Sequence, residues 1–219
     1  VVTGTTSPIL VSGLANDVPA TCFVTATNAV GTSAPSPSVV ATPTATAPLV
    51  LIGVSSRKTH GSSGIFDMPV LVGLPLSGSI SVEPRGVGAH LIVFRFNNPP
   101  SSVASAIAVD VGMVPVGMAI PSVSGNEILV NLTGMQDGAR VVVTISGVNG
   151  SLTYQVPIGF LLGDVNNSRA TSAADVAVTR THAGRSANSS NYLFDINVSG
   201  VVSAADIAGA KSRQGRSLQ

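Results

Sequence analysis

Short segments in which apolar and polar residues alternate recur along most of the chain, and this pattern predicts β-strands. The pattern is clearest in the middle of the chain, where the predicted strands cover residues 50–54, 79–82, 90–96, 128–132, 140–145 and 152–156. Turn-forming residues separate these strands at 97–100, 124–126 and 147–150. Several short strands separated by turns predict a β-sandwich over residues 49–158.

The C-terminal end departs from this pattern, because residues 163–175 recur as residues 194–206. Each copy continues as an Ala- and Val-rich segment of helical length, which ends at Gly184 in the first copy and at Gly215 in the second. Both glycines are followed by Arg-Ser. The end of the chain is therefore an internal duplication of a loop and a helix.

The duplicated loops have the ligand spacing of calcium loops. Counted from Asp164 or Asp195, side chains that carry oxygen lie at positions 1, 3, 5, 9 and 12, and position 7 offers a backbone carbonyl. We expect Ser172 and Ser203, at the ninth positions, to act through a water molecule. The predicted ligands of two calcium ions are Asp164, Asn166, Ser168, the Ala170 carbonyl and Asp175 in the first loop, and Asp195, Asn197, Ser199, the Val201 carbonyl and Asp206 in the second.

Helix capping is an alternative explanation of the same residues. Ser172-x-x-Asp175 and Ser203-x-x-Asp206 both fit the capping box, and Asp-x-Asn-x-Ser is common in Asx turns. Two copies in the same register, each followed by a helix, favour calcium loops. Capping is then an additional role, because a calcium loop also begins a helix.

The two copies resemble a type I dockerin, a module of two loop-helix units that binds calcium and docks onto a cohesin module. Only ten residues, rich in Ser and Asn, separate Gly184 from the second loop, so the entering helix of a full EF-hand is missing. Aspartate at the twelfth position also fits this family. The resemblance places a small α-helical domain at residues 159–219. It implies a secreted or cell-surface protein, cellulosome-like assembly and polysaccharide breakdown.

Two departures from the family pattern affect the predicted metal affinity. Serine at the fifth position leaves only two carboxylates in each loop, which predicts weak calcium binding. The sixth position is Gly200 in the second loop but Arg169 in the first. A side chain in the left-handed conformation expected there costs about 1 kcal/mol, which predicts a weaker first site.

The resemblance also implies which residues contact a cohesin. Small residues begin each helix and basic residues end it, so either copy could face the partner. The alternatives are that these charges are solvated helix ends favoured by the macrodipole, and that the loops form a purely structural clasp in an adhesin or stalk without a cohesin partner. The implied contacts are Ala173, Ala174, Arg180, Thr181 and Arg185 in the first copy, and Ala204, Ala205, Lys211, Ser212 and Arg216 in the second.

The first 43 residues contain an alternating strand around Cys22 and Val24, followed by a Gly-x-Ser-x-Pro-Ser segment at 31–36. They resemble the second half of a fibronectin type III domain. We therefore expect the chain to be the C-terminal part of a longer polypeptide, with any hydrolase and any glycan-binding module upstream. Alternation with Val24 predicts that Cys22 is a buried thiol. Residues 44–48 suit an extended linker, and residues 49–158 resemble the Ig-like spacers of bacterial surface proteins.

Composition excludes several function classes. The net charge is +1 and charged residues make up 10% of the chain, which argues against binding to nucleic acid or to an anionic membrane. No apolar run is long enough for a membrane-spanning helix. The absence of Trp disfavours a sugar platform. The overall prediction is a mainly β chain of Ig-like and fibronectin type III sandwich modules with a small helical dockerin-like end.

No catalytic site is predicted. The candidate chemistry in the middle of the chain is spread over residues 57–61, Asp67, Glu83, Arg85 and His90, without a nucleophile elbow or a metal-binding histidine pair. His60 lies in a Gly- and Ser-rich segment, where we expect a solvated or locally bonded imidazole. His90 begins a predicted strand.

Overall fold

The computed structural model describes residues 1–44, 47–86 and 88–219. Two residues of the predicted linker, Ala45 and Thr46, lie outside the described residues. The chain forms two compact units, Val1–Pro48 and Leu49–Gln219. The protein is mainly β, with 38% of residues in strands and 11% in helices.

The first unit contains two short antiparallel pairs. Strand β1 (Ala20–Cys22) pairs with β4 (Val39–Ala41), and β2 (Thr27–Asn28) pairs with β3 (Gly31–Thr32). Further backbone hydrogen bonds, such as that from Ser36 to Val24, continue the ladder between the two pairs. Residues 20–41 of this unit therefore form a two-stranded ribbon.

Neither face of this ribbon is buried within its own unit. Phe23 and Val24 are 59% and 66% exposed. The thiol of Cys22 is exposed too, so the prediction of a buried cysteine is wrong. The reason is physical: alternation determines which residues share a face, but a ribbon has no second layer to cover that face.

The second unit begins with an antiparallel sheet of five strands in the order β10-β11-β8-β5-β6. Strand β5 ends at His60, and a short 3-10 helix (Gly61–Ser63) turns the chain into β6. The strands are β5 (Leu51–His60), β6 (Gly64–Val70), β8 (His90–Phe96), β10 (Met118–Ser124) and β11 (Glu127–Thr133).

A second sheet of four strands has the order β7-β13-β12-β9. Its pairs are antiparallel except for the parallel pair of β7 and β13. The strands are β7 (Ser81–Glu83), β9 (Ser105–Val109), β12 (Ala139–Val148) and β13 (Leu152–Phe160).

One hydrophobic core joins the two sheets into a sandwich. Alternate residues of β8 and β11, such as Phe94 and Val130, pack with alternate residues of β12 and β13, such as Val143 and Ile158. These four side chains are fully buried. All six predicted strands coincide with or overlap an observed strand, and β6, β9 and β10 were not predicted.

The C-terminal elements are small. They comprise helix α1 (Ala173–Thr181), strand β14 (Arg185–Ser186), a 3-10 helix (Tyr192–Phe194), strand β15 (Val201–Val202) and helix α2 (Ala204–Ser212). The two helices contact each other over a separate core of Val165, Val176, Ile196 and Ala210. None of the described helices is long and apolar enough to cross a membrane.

Candidate metal centre

Each helix begins at the tenth position of its loop because the ninth loop residue caps it. The Ser172 hydroxyl accepts a hydrogen bond from the Ala174 amide, and the Ser172 amide donates to Asp175 Oδ2 at 2.8 Å. Ser203 and Asp206 form the same capping box at α2. The capping boxes are confirmed, and in both repeats the other oxygen of the twelfth-position carboxylate remains directed at the loop.

The first loop brings its predicted ligands together. The Ser168 amide donates to Asp164 Oδ1 and to Asn166 Oδ1, each at 2.9 Å. The Ser168 hydroxyl lies 3.3 Å from Asp164 Oδ1 and 2.9 Å from the Ala170 carbonyl oxygen. The Asn166 amide donates to Asp175 Oδ1 at 3.3 Å. Short contacts therefore link the five predicted oxygen ligands around one small region.

The second loop repeats this arrangement. The Ser199 amide donates to Asp195 Oδ1 and to Asn197 Oδ1, each at 3.0 Å. The Ser199 hydroxyl lies 3.4 Å from Asp195 Oδ1 and 3.1 Å from the Val201 carbonyl oxygen. The Asn197 amide donates to Asp206 Oδ1 at 3.0 Å. The two loops, which have the same side chains at positions 1, 3, 5, 9 and 12, thus have closely similar oxygen geometry.

Each loop bends through two left-handed residues, at the fourth and sixth positions. The φ angles are 57° for Asn167 and 68° for Arg169 in the first loop, and 54° for Val198 and 97° for Gly200 in the second. The sequence predicted this conformation only at the sixth position. Asn tolerates the left-handed region and a β-branched residue does not, so each loop contains one strained residue, Arg169 or Val198.

The sixth-position amide holds the first carboxylate in both loops. The Arg169 amide donates to Asp164 Oδ2, and the Gly200 amide donates to Asp195 Oδ2, each at 2.7 Å. Burial raises the pKa of Asp164 above its ordinary value, and nearby Asp175 adds to the rise, although the Arg169 and Ser168 amides oppose it. A cation between the two carboxylates would offset this repulsion.

All of the predicted metal-ligand atoms in these loops are oxygens, which suits a hard cation such as calcium. Among the described residues, no group of three or more His, Cys, Asp or Glu side chains could hold a metal ion. Each loop has two carboxylates, so amide, hydroxyl and carbonyl oxygens would complete a calcium site.

The Gly-Arg-Ser that follows each helix pairs with the loop of the other repeat. Strand β14, from the first repeat, pairs with β15 in the second loop. Ser217, from the second repeat, forms a β-bridge with Ala170 in the first loop. The sequence showed that this tripeptide is repeated but not what it does. Its role is to brace the opposite loop.

The sandwich holds the second loop through buried charged groups. His60 Nδ1 lies 2.8 Å from Asp195 Oδ2, and Arg85 donates to His60 Nε2 at 3.2 Å. Arg85 in turn forms an ion pair with Glu83 at 2.8 Å. All four side chains are 0% exposed, so the cluster joins two parts of the fold and is not an open cleft.

The prediction of a solvated or locally bonded His60 is therefore wrong. Its partner Asp195 is 135 residues away along the chain, and no local signal could have indicated it. Burial lowers the pKa of His60, and Arg85 acts in the same direction, whereas the hydrogen bond with Asp195 opposes the shift.

Further contacts attach both repeats to the sandwich. The Val82 amide donates to Asn167 Oδ1 at 2.8 Å, and Tyr192 donates to the Asp67 carbonyl at 3.2 Å. Near the end of the chain, Arg213 forms an ion pair with Asp137 of the sandwich at 3.1 Å. Leu218 packs in a small cluster with residues such as Ile80, Val82 and Leu161.

All ten residues implied as cohesin contacts are exposed. They lie at the start of α1 and α2, at the end of these helices and just beyond it. The two copies are not equivalent, because Arg216 lies 3.7 Å from Asp137 of the sandwich. Arg185 instead lies in β14, paired with Val202.

No known protein-family model matches the chain. No curated protein is similar enough to be counted as a relative.

Proposed function

We propose that residues 159–219 form a dockerin-like module that holds two calcium ions and attaches the polypeptide to a cohesin-type module. The observation that carries this proposal is the arrangement of the predicted oxygen ligands, which is the same in both loops. When bound, calcium supplies the positive charge that neutralises the two carboxylates of each loop.

The weak calcium affinity expected from the loop ligands supports a location outside the cell. Loops with few carboxylates bind calcium weakly, and extracellular modules work at about 10⁻⁴ to 10⁻³ M calcium. Each of these loops has two carboxylates, so we place the protein outside the cell, secreted or at the cell surface.

The exposed helix ends support docking. Two similar sets of small and basic residues lie on the surface of α1 and α2, where a partner can reach them. The sandwich and the N-terminal ribbon then act as non-catalytic spacers. A role in polysaccharide breakdown would come from hydrolase and glycan-binding modules elsewhere in the polypeptide.

A second candidate function is a structural calcium clasp without a cohesin partner, as in an adhesin or stalk. The observation that favours it is the firm attachment of both repeats to the sandwich, through Asp195 in the second loop and Asn167 in the first. A clasp of this kind would stiffen the end of the chain.

Calcium titration of the chelator-treated 219-residue chain tests the shared part of both functions. We expect two sites, and we expect both to be lost in the double variant Asp164→Ala, Asp195→Ala. The matched control is the double variant Asp17→Ala, Asp110→Ala, which removes two carboxylates outside the loops and retains both sites. A wild-type chain that binds no calcium would refute the dockerin-like module and the clasp together.

A panel of cohesin modules then separates the two functions. We expect at least one cohesin to bind the wild-type chain in calcium and to dissociate in chelator. A chain that binds two calcium ions but none of the cohesins would support the clasp and contradict docking.

A further inference from the structure

His60 fixes one oxygen of the first ligand in the second loop. A guanidinium group only donates hydrogen bonds, so the contact from Arg85 makes His60 Nε2 an acceptor. The proton of the neutral imidazole is then on Nδ1, which donates to Asp195 Oδ2 at 2.8 Å. The buried Glu83 fixes Arg85 in turn, at 2.8 and 2.9 Å.

This hydrogen bond orients the Asp195 carboxylate. Its Oδ2 atom is held from two sides, by His60 and by the Gly200 amide, while Oδ1 faces the loop near Ser199. In the first loop, the Arg169 amide is the one donor to Asp164 Oδ2 within the described part of the chain. The two loops therefore differ in a contact that comes from outside the repeats.

The turn after His60 also contacts the second loop. Ser63 donates to the Gly200 carbonyl at 2.7 Å. Gly61 approaches so closely that an added Cβ atom would collide with the Ser199 carbonyl oxygen. The end of β5 and its 3-10 helix thus support the second loop at its first, fifth and sixth positions.

We infer that His60 is a positioning residue for the second calcium loop, supplied by the sandwich, and that calcium binding in this loop is coupled to the sandwich through the hydrogen bond between His60 and Asp195. This inference rests on the calcium function proposed above. Partners that orient a metal ligand typically change metal affinity by about 10- to 100-fold when they are removed.

Coupling of this kind is reciprocal. If His60 raises the affinity of the second loop for calcium, calcium must stabilise the arrangement that His60 makes with the loop. Calcium should then raise the unfolding temperature of the unit that contains the sandwich, by mass action. Without His60 this rise becomes smaller, because calcium binds the second loop less tightly.

The test uses the full chain and calcium alone, with each loop measured separately. Asp164→Asn removes a carboxylate from the first loop, so that calcium binding by the second loop can be measured alone. Asp195→Asn removes the corresponding carboxylate from the second loop, so that calcium binding by the first loop can be measured alone. In the Asp164→Asn background, we expect His60→Leu to weaken calcium binding about 10- to 100-fold. In the Asp195→Asn background, we expect His60→Leu to change it less than about twofold.

Three further variants separate positioning from loss of a buried imidazole. His60→Gln keeps a side-chain N–H donor, and we expect it to recover part of the second-loop affinity. His90→Leu removes a buried imidazole that packs against Phe160 and for which the described residues show no hydrogen bond to either loop, and we expect both loops to be unaffected. Ser63→Ala, at a half-buried position, tests the same contact region with a smaller change, and we expect weaker binding in the second loop only.

Each outcome bears on one of the two proposals. A wild-type chain that binds no calcium refutes the calcium function itself. A chain that binds two calcium ions, but whose second loop is unchanged by His60→Leu, overturns the positioning role alone. An equal loss in both loops also overturns it, because that result indicates general destabilisation. Loss confined to the second loop, with a smaller calcium-induced rise in unfolding temperature, supports it.

Discussion

The Gly215 amide donates a hydrogen bond to the Thr171 carbonyl oxygen at 2.9 Å, so the end of the second repeat closes the loop of the first. The reciprocal bond runs from the Gly184 amide to the Val202 carbonyl oxygen at 2.8 Å. Thr171 and Val202 are the eighth residues of their loops. Each candidate calcium loop is therefore braced by the other repeat.

Crosswise bracing predicts crosswise effects of mutation. Gly184 and Gly215 have φ angles of 81° and 86°, and an added Cβ would meet no atom of another described residue within 4 Å, apart from its chain neighbours. Replacement by Ala therefore costs conformational energy alone, about 1 kcal/mol. We expect Gly215→Ala to weaken calcium binding mainly in the first loop, and Gly184→Ala mainly in the second, by up to about fivefold. Titration of chains with one loop inactivated measures both, and an effect confined to the mutated repeat would contradict the bracing.

Backbone strain in the loops makes a second pair of predictions. Arg169→Gly relieves the left-handed sixth position of the first loop, and Val198→Asn relieves the fourth position of the second. Each substitution should stabilise its loop by about 1 kcal/mol and tighten calcium binding about fivefold. Calcium titration in single-loop backgrounds measures the change. Ala170→Gly, a neighbouring substitution without left-handed strain, is the control and should not tighten binding.

Strain at Val198 in the second loop offsets much of the difference in calcium affinity that strain at Arg169 predicts between the two loops. Arg169 alone predicts a weaker first site, and that remains a prediction. Val198 adds a comparable cost to the second loop. We therefore expect any advantage of the second loop to depend on His60 more than on Gly200. The variants of His60 and Arg169, measured side by side, distinguish the two causes.

A contact could be predicted from the sequence where its residues lie close together along the chain, and not where they are far apart. The capping boxes and the loop geometry involve residues within one loop, and both follow from spacing. The contact between His60 and Asp195 joins residues 135 positions apart and has no local signature. Two missed strands, β6 and β10, contain Pro69 and Pro121, which argue against a central strand. Both strands lie at sheet edges, where proline is tolerated.

His90 predicts a dependence of stability on pH. Its side chain is buried beside Phe160, at 4.4 Å between ring centroids. Burial lowers its pKa from 6.5 to about 4, and nearby Lys58 and Arg85 add to this, whereas Glu83 opposes it. The folded state therefore favours the neutral imidazole. Stability should be complete above about pH 6.5 and should fall as the pH drops from 6.5 to about 4, by about 3 kcal/mol at most.

Denaturant unfolding in chelator, at several pH values, measures this loss without a contribution from bound calcium. His90→Gln has no proton to gain, so its stability should fall less over the same interval. Carboxylates that titrate near pH 4 affect both proteins equally, and the difference between the two curves isolates His90. Parallel curves would show that His90 does not titrate in this way.

The ion pair between Arg216 and Asp137 predicts that the basic residues of the two copies contribute unequally to cohesin binding. The first set is Arg180 and Arg185, and the second set is Lys211 and Arg216. Arg216 is held 3.7 Å from a sandwich carboxylate, so part of its charge is already compensated. Exposed interfacial charges mainly steer association. We expect Arg180→Ala with Arg185→Ala to weaken cohesin binding about 3- to 10-fold, and Lys211→Ala with Arg216→Ala to weaken it less. Binding to a cohesin that recognises the wild-type chain, measured at low and moderate salt, gives both values.

The docking surface is two-faced only if either set can support binding alone. We therefore expect each double variant to bind and the quadruple variant not to bind. Asp137→Asn is the control for the ion pair, since it releases Arg216, together with Arg213, without removing a basic residue and keeps an oxygen that can accept from the Leu162 amide; it should make the second set more effective. Unchanged binding by the quadruple variant would mean that these residues are solvated helix ends, and docking would have to use another surface.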